Sequence, residues 1–249
     1  GESDKIVTFL TRDWGKVTGI AKGAKRSKRR FVNVLEPFTH VQLRFRPSRA
    51  DELAFIFGCE LLQSFRGPSR DLQRFALASY VSELIDVMVT GRESGHETYT
   101  LLLDSLLVLE EATHISPAFL PALELQVLAH TGYAPHLIDC QQCGRELQID
   151  ESTWVFSPSV GGLLCAQCRD RGGATLLLSN ETIHYLSQAQ HAGESALLNL
   201  FASPRVYKEL RAMAGGMLSR HLQRPLKSRI FLEQTQLLED ASVDATQGE

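Results

Sequence analysis

The sequence predicts a multidomain α+β protein. Its parts are a small antiparallel β-barrel at the N-terminus, a central and C-terminal helical bundle, and an inserted ribbon built around four cysteines. Three observations support this prediction. Short runs of alternating and β-branched residues, separated by glycine turns, fill the chain as far as Gly67. Beyond that point apolar residues recur at the spacing of helix faces. Two Cys-x-x-Cys pairs interrupt the helical pattern.

Four segments before Gly67 have the composition of β-strands: KIVTFLT, KVTGIAKG, THVQLRF and ELAFIFGCELL. The first ends at a turn signal, Arg12-Asp13-Trp14-Gly15. In the third, apolar side chains alternate with polar ones, with Val41, Leu43 and Phe45 on one face and Gln42, Arg44 and Arg46 on the other. This spacing is typical of a small antiparallel barrel, but the pattern alone does not define how the barrel closes.

Three helices are predicted after Gly67-Pro68. The first has a core-facing stripe of Leu72, Phe75, Tyr80, Leu84, Val87 and Met88. The second, HETYTLLLDSLLVLEEA, continues the stripe with Leu102, Leu103, Leu106 and Leu107. The third, AFLPALELQVLAHTG, ends at the C-cap residue Gly132.

Two further helices begin at serine caps. Ser179 precedes NETIHYLSQAQ, and Ser203-Pro204 supplies the N-cap and N1 residues of the last long helix. Inside that helix, Gly215-Gly216 costs about 2 kcal/mol of helix propensity relative to alanine, so the pair marks either a close helix contact or a break. The terminal segment 240–249 has the composition of a disordered tail.

Four of the five cysteines form two Cys-x-x-Cys knuckles. Two knuckles together supply the four thiolates that Zn²⁺ takes in a closed structural site, and STWVFSPSVGGLLC between them predicts a β-hairpin that folds one knuckle onto the other. The alternative is a redox dithiol. Cys59, inside a strand pattern, is predicted to be a buried apolar residue. We predict one structural Zn²⁺ per chain, held by Cys140, Cys143, Cys165 and Cys168.

Charge is segregated along the chain, although the formal net charge is only -3. Residues 1–80 carry 15 lysines and arginines against 8 acids, residues 81–202 carry 4 against 15, and residues 203–230 carry 7 against 1. The sequence therefore predicts a cationic N-terminal surface, an acidic middle and a second cationic stretch near the C-terminus.

The densest cationic run follows the second predicted strand, and no acid occurs between Asp13 and Glu36. A solvated loop, or a nuclear-targeting signal in a eukaryote, would explain the charge alone. Small barrels, however, bind single strands across one face, and neutralised phosphates release counterions. Trp14, at a turn, is the predicted stacking residue, whereas most nearby phenylalanines are predicted to be core. The predicted nucleic-acid contacts are Trp14, Lys16, Lys22, Lys25, Arg26, Lys28, Arg29, Arg30, Arg44 and Arg46.

A second cationic run contains Arg220, Arg224, Lys227 and Arg229. Part of this run is explained equally well by a helix C-terminus, where cations are favoured. The other interpretation is that it contacts an anionic partner.

The sequence predicts a binding protein and no catalysis. Four cysteine ligands leave no open metal position for a reacting water. No His-x-Glu precedes the cysteine pairs as in a deaminase, no nuclease-type acidic cluster is evident near the basic run, and no Walker-type loop occurs. No run approaches the ~18 apolar residues of a membrane helix and no export leader is visible, so we expect a protein of the reducing cytoplasm.

Four stretches resemble the bacterial RecO family of DNA repair proteins: VTFLTRDWGKVTGIAKGAKRSKRRFVNVLEPFT, LELQVLAHTGYAPHLIDCQQCG, FSPSVGGLLCAQC and RHLQRPLKSRIFL. The resemblance extends over essentially the whole chain. It implies an OB-fold DNA-binding domain at residues 1–68, a helical domain at 69–138 and 175–239, a zinc-ribbon insertion at 139–174, and the tail at 240–249. Family members usually begin with a further short segment that forms the first barrel strand, so the resemblance implies that this strand is missing here.

The resemblance also implies a recombination mediator that is not an enzyme. Such proteins bind single- and double-stranded DNA, anneal complementary strands and associate with RecR. They contact the C-terminal tail of the single-strand binding protein SSB and help RecA load onto SSB-coated strands. The second cationic run then becomes a candidate contact for the SSB tail or DNA, and the implied location is the bacterial cytoplasm, at the nucleoid. The alternative function is a zinc-ribbon RNA-binding protein of the ribosome or of transcription.

Overall fold

The computed structural model describes residues 2–47, 53–89, 95–147, 154–191 and 202–234. The predicted tail at 240–249 lies outside the described residues. The chain divides into two compact units, Gly1–Ala78 with Val89–Glu111, and Ser79–Met88 with Ala112–Glu249. The domain boundaries expected from the sequence stay a prediction.

The first unit is built on a four-stranded sheet of β1 (Lys5–Thr11), β2 (Gly15–Ala21), β3 (Thr39–Arg46) and β4 (Ala54–Ser64). The strand order is β1-β2-β4-β3; the β1–β2 and β3–β4 pairs are antiparallel, and the β2–β4 pair is parallel. All four predicted strands are therefore present. Within residues 2–47 and 53–64 no strand pairing joins β1 to β3, so closure into an OB barrel stays a prediction.

One face of this sheet covers a small apolar core. The core consists of Ala21, Ala24, Phe31, Val34, Leu35, Ile56 and Cys59, with Val41, Leu43 and Phe45 of β3 packed against it. The alternation predicted for β3 is confirmed, because Gln42, Arg44 and Arg46 are exposed. Cys59 is buried as predicted, and burial raises the pKa of its thiol to about 11.

Three helices follow the sheet: α1 (Gly67–Arg70), α2 (Leu72–Met88) and α3 (Gly95–Glu111). The predicted stripe of α2 is correct from Tyr80 onward, but Leu72 and Phe75 are exposed. In α3 the buried face runs through Thr98, Leu101, Ser105 and Leu109, so Leu106 is the one predicted leucine there that is buried. The apolar pattern misplaced this face because two of its members are polar; Ser105 Oγ, for example, donates to the Leu101 carbonyl at 2.6 Å.

The helices of the second unit are α4 (Phe119–His130), α5 (Asn180–His191), α6 (Pro204–His221) and α7 (Lys227–Gln234). Every α4 residue from Phe119 to Leu128 is buried, as expected for a helix that is apolar on all sides. The predicted caps are confirmed: Ser203 Oγ accepts from Val206 N, Ser179 Oγ accepts from Thr182 N, and Gly132 after α4 has φ +87°. No helix in the described part of the chain is both long and apolar enough to cross a membrane.

The ribbon carries a three-stranded sheet of β5 (Val155–Ser157), β6 (Gly162–Leu164) and β7 (Leu176–Leu177). The predicted hairpin is present, because β5 and β6 pair antiparallel. The short β7 was not predicted; it pairs with the other edge of β5. Helix α6 runs through Gly215-Gly216 without a break.

Candidate metal centre and nucleic-acid interface

The four knuckle cysteines meet at one point of the ribbon. The Sγ atoms of Cys140, Cys143, Cys165 and Cys168 all lie within 4.8 Å of one another. The Cys143 and Cys165 sulfurs are 3.8 Å apart, and tetrahedral Zn–S bonds of about 2.3 Å place any two sulfurs about 3.8 Å apart. Three of these side chains are buried and Cys143 is exposed. The four thiols therefore fit a closed tetrahedral metal site.

Backbone hydrogen bonds hold the two knuckles in register. In the first knuckle Gly144 N donates to the Cys140 carbonyl at 2.8 Å, and in the second Cys168 N donates to the Cys165 carbonyl at 3.0 Å. Gln141 N donates to the Leu163 carbonyl of β6 at 2.9 Å, which fastens the first knuckle to the hairpin. Cys165 N then points at Cys140 Sγ, 3.5 Å away. The hairpin thus brings together two cysteine pairs that lie far apart in sequence.

The protonation of the cluster favours a bound cation. Although burial raises it, the backbone N–H groups of Cys165, Gln142 and Cys143 lower the pKa of Cys140 to about 6. Burial and the neighbouring thiols raise the pKa of Cys168 to about 12. Without a cation the cluster therefore holds little negative charge at neutral pH, and a metal ion displaces the remaining protons when it binds. Four soft ligands fit Zn²⁺ or another thiophilic ion.

The second feature is the cationic loop, residues 22–30. Its six cations are all exposed: Lys22, Lys25, Arg26, Lys28, Arg29 and Arg30. Among the residues with described placement, no carboxylate forms an ion pair with any of the six. The ion pairs nearby in sequence, such as Lys5–Glu36, involve other cations. The loop therefore presents uncompensated positive charge to solvent.

This loop is anchored and not a free tether. Lys25 N donates to the Ser3 carbonyl at 3.0 Å, and Gly23 N donates to Asp4 Oδ1 at 2.8 Å. Ser27 Oγ accepts from Arg30 N and Phe31 N, and the buried Ala24 and Phe31 belong to the sheet core. Because the backbone is held at these points, little conformational entropy is lost there when the loop binds a polyanion.

The other residues predicted to contact nucleic acid differ in environment. Trp14 packs edge-on against Phe45, with ring centroids 5.7 Å apart, and Lys16 is half-buried in β2. Arg44 forms an ion pair with Glu60 at 2.5 Å, whereas Arg46 is exposed. The Arg44 charge is compensated by an acid on the neighbouring strand, which the local sequence pattern could not reveal.

The second cationic run also divides by environment. Arg220, Arg224 and Lys227 are exposed, and Arg220 lies in the last turn of α6, where a cation is favoured. Arg229 instead approaches Glu124 at 3.7 Å and Glu233 at 3.3 Å. Sequence analysis missed the buried Glu124, and the signal was a single acid inside the apolar run of α4.

Sequence analysis also expected most of the phenylalanines near the loop to be core. Phe31 is buried, but Phe55 and Phe57 on β4 are exposed. The physical reason is a bulge in β4, since the β3–β4 register shifts between Arg44 and Phe45. These two rings are therefore additional candidates for contact with bases.

Comparisons with known proteins cover nearly all of the chain. The family model "Recombination protein O N terminal" matches residues 1–65, and "Recombination protein O C terminal" matches residues 69–230. The chain is 35% identical to the DNA repair protein RecO of Syntrophus aciditrophicus (strain SB) over 237 residues, which are 94% of this chain and 91% of that protein. It is 36% identical to the DNA repair protein RecO of Nocardioides sp. (strain ATCC BAA-499 / JS614) over 235 residues, 94% of this chain and 93% of that protein.

Both family models and these relatives agree with the resemblance seen in the sequence motifs. Matches that cover both units at this level of identity leave no large part of the chain outside the family. The chain belongs to the RecO family of DNA repair and recombination proteins.

Proposed function

We propose that this protein is a recombination mediator in DNA repair. It binds single- and double-stranded DNA, anneals complementary strands and, with RecR, helps RecA load onto SSB-coated single strands. Support comes from the relatives, which are named DNA repair protein RecO. The observation that carries the proposal is the anchored loop with six exposed, uncompensated cations.

The chemistry of annealing explains why such a loop suffices. Two DNA strands repel each other through their phosphates, and cations that neutralise those phosphates release counterions and let the strands approach. No covalent bond changes, so the protein needs no catalytic group. The same electrostatic contact serves single and double strands, because both carry phosphates.

The metal centre has a separate, structural task in this proposal. Cys140, Cys143, Cys165 and Cys168 hold one Zn²⁺, which stabilises the ribbon. Contact with the SSB tail or with DNA is assigned to the exposed Arg220, Arg224 and Lys227. Arg229 is reserved for Glu124 and Glu233. The proposed location is the bacterial cytoplasm, at the nucleoid.

Charge reversal in the loop tests the proposal. We expect the variant Lys25→Glu/Arg26→Glu/Arg29→Glu/Arg30→Glu to lose affinity for both DNA forms on the order of a hundredfold, because phosphate contacts become repulsive. Its thermal stability should stay nearly unchanged, since all four side chains are exposed and unpaired within the described residues. Fluorescence anisotropy with labelled strands and duplexes, at two salt concentrations, measures this.

A matched control carries the same change in net charge elsewhere. Arg66, Arg70, Arg171 and Lys208 are exposed cations outside both predicted contact sets, and their reversal to glutamate should weaken DNA binding only slightly. Equal losses in the two variants would show that net charge, and not the loop, governs binding. A wild-type preference for RNA over DNA would instead support an RNA-binding protein.

A further inference from the structure

A row of side chains crosses the four-stranded sheet on the face away from its core. The register pairs Ile6 with Ile20, Ile20 with Phe55, and Phe55 with Arg46. Partners in register lie on the same face of a sheet, so these four side chains form one line. With neighbouring strands about 4.8 Å apart, the line is roughly 14 Å long.

This row exposes apolar surface that folding leaves uncovered. Ile6 is 65% exposed, Phe55 38% and Phe57 46%. The bulge explains the second ring: Phe45 pairs with Ile56 and Arg44 with Gly58, so Phe57 is the extra residue between them. Ile56 and Cys59 on either side point into the core. Phe57 therefore joins Phe55 on the outer face.

Cations lie at both ends of the row. Lys22, the first cation of the loop, follows Ile20 by two residues, the interval that keeps to one face of a strand. The hydrogen bond from Lys25 N to the Ser3 carbonyl holds the loop beside the start of β1, next to Ile6. At the other end Arg46 is exposed and has no carboxylate partner among the described residues.

We propose that this row is a stacking platform for the bases of single-stranded DNA. Phe55 and Phe57 contact the flat faces of bases, while the phosphates on either side lie against the cationic loop and Arg46. Aromatic side chains inside a cationic frame are what binding of an unpaired strand requires, because unpaired bases expose their faces and duplex bases do not. This inference rests on the proposed function and names its single-strand subsite.

The charge of the surface favours a nucleic acid over a protein partner. The four residues of the row include no acid, and the nearest acid on this face of β4, Glu60, is already paired with Arg44. A polyanion with apolar faces matches both features at once.

The test compares the double variant Phe55→Leu/Phe57→Leu with Phe75→Leu in the full chain. Phe75 is 45% exposed on α2, so it matches Phe57 in exposure but lies outside the row. The probes are an oligothymidylate strand, an abasic strand of the same length and a duplex. We expect the double variant to lose roughly tenfold or more in affinity for oligothymidylate. Affinity for the abasic strand and the duplex should stay unchanged, and so should the salt dependence, because the phosphate contacts remain.

A second variant keeps the inference testable if the leucine variant does not fold. Phe57→Trp retains an aromatic face, so it should bind oligothymidylate at least as tightly as wild type. Its additional tryptophan fluorescence should be quenched by that strand and not by the duplex.

The outcomes separate this inference from the proposed function. Unchanged oligothymidylate affinity in the double leucine variant, with loop reversal still abolishing binding, overturns the platform alone. A wild-type chain that binds neither probe overturns both. A change of oligomeric state on sedimentation, with strand affinity unaltered, would make the row an interface between copies and would also overturn the platform.

Discussion

Arginines in this protein serve two opposite purposes, and their partners decide which. Arg229 lies beside the buried carboxylate of Glu124, which also accepts a hydrogen bond from the Tyr80 hydroxyl. Burial raises the pKa of Glu124, while the Tyr80 hydrogen bond and the Arg229 charge act against this shift. A buried charge requires such compensation. In the cationic loop, by contrast, Arg26 and Arg29 have no carboxylate partner within the described residues and remain available to a ligand.

The first prediction, at the residue scale, concerns Arg229. Arg229→Ala leaves Glu124 buried without its cation, so we expect it to lower the free energy of unfolding by about 3 kcal/mol. Arg224→Ala, at an exposed position in the same run, should change it by less than about 0.5 kcal/mol. Urea denaturation measures both. Similar stability of the two variants would show that Glu124 does not depend on Arg229.

At the scale of single elements, helix ends and close contacts determine how the second unit packs. Helix α7 begins against Glu83, which accepts hydrogen bonds from Lys227 N at 3.1 Å, from Ser228 N at 2.8 Å and from Ser228 Oγ at 2.6 Å. A side chain distant in sequence thus caps the helix. Burial alone would raise the pKa of Glu83, but the hydrogen bonds from Ser228 and Lys227 lower it below its ordinary value of 4.5.

This cap predicts a pH dependence. A carboxyl group whose pKa is lower in the folded state contributes stability above its unfolded pKa, and that stability is lost as the pH falls through the folded value. Glu83→Gln should therefore lower the free energy of unfolding by about 1 kcal/mol at pH 7. The difference from wild type should shrink below pH 4.5. Thermal denaturation across pH measures it; a difference that is constant with pH would contradict an ionised cap.

The two glycines of α6 make a matched pair. A Cβ on Gly216 would lie 2.7 Å from Pro158 Cγ in the ribbon, whereas a Cβ on Gly215 would meet nothing closer than Arg229 Nη2 at 3.7 Å. We expect Gly215→Ala to stabilise the protein by up to about 1 kcal/mol through helix propensity. Gly216→Ala should destabilise it, since a ring on another segment must move.

Denaturation curves of the two alanine variants test this contrast. Stabilisation of both would mean that the approach of Pro158 to α6 is not tight in solution.

At the scale of the whole molecule, the stability of the ribbon and the binding of DNA are separate properties. The ribbon has strands of only two or three residues and closes around four thiols. Such a short sheet buries too little apolar surface to hold itself together, so a metal ion supplies much of its stability. The cationic loop, in contrast, belongs to a sheet with its own core.

Metal removal should therefore act on one part of the chain first. We expect one Zn²⁺ per chain by mass spectrometry under native conditions. A strong chelator should remove hydrogen-exchange protection across residues 139–174 before it affects β1 to β4. Absence of metal while the thiols are reduced, or uniform loss of protection, would contradict a structural site confined to the ribbon.

Much of the fold follows from local patterns and was predictable. The strands β1 to β4, the helices and their serine caps depend on residues that are neighbours in sequence, as do the two cysteine knuckles and the cation density of the loop. The buried face of α3 was predicted wrongly because Thr98 and Ser105 look polar in a hydropathy pattern.

The sequence by itself thus determined which segments form strands and helices, which cysteines pair into knuckles and where positive charge is concentrated. Tertiary structure alone decided which of those charges stay uncompensated. Arg44 meets Glu60 and Arg229 meets Glu124 across distances in sequence that no local pattern covers. It also decided that a bulge turns Phe57 outward, because side-chain direction in a strand depends on its pairing partner and not on its own alternation.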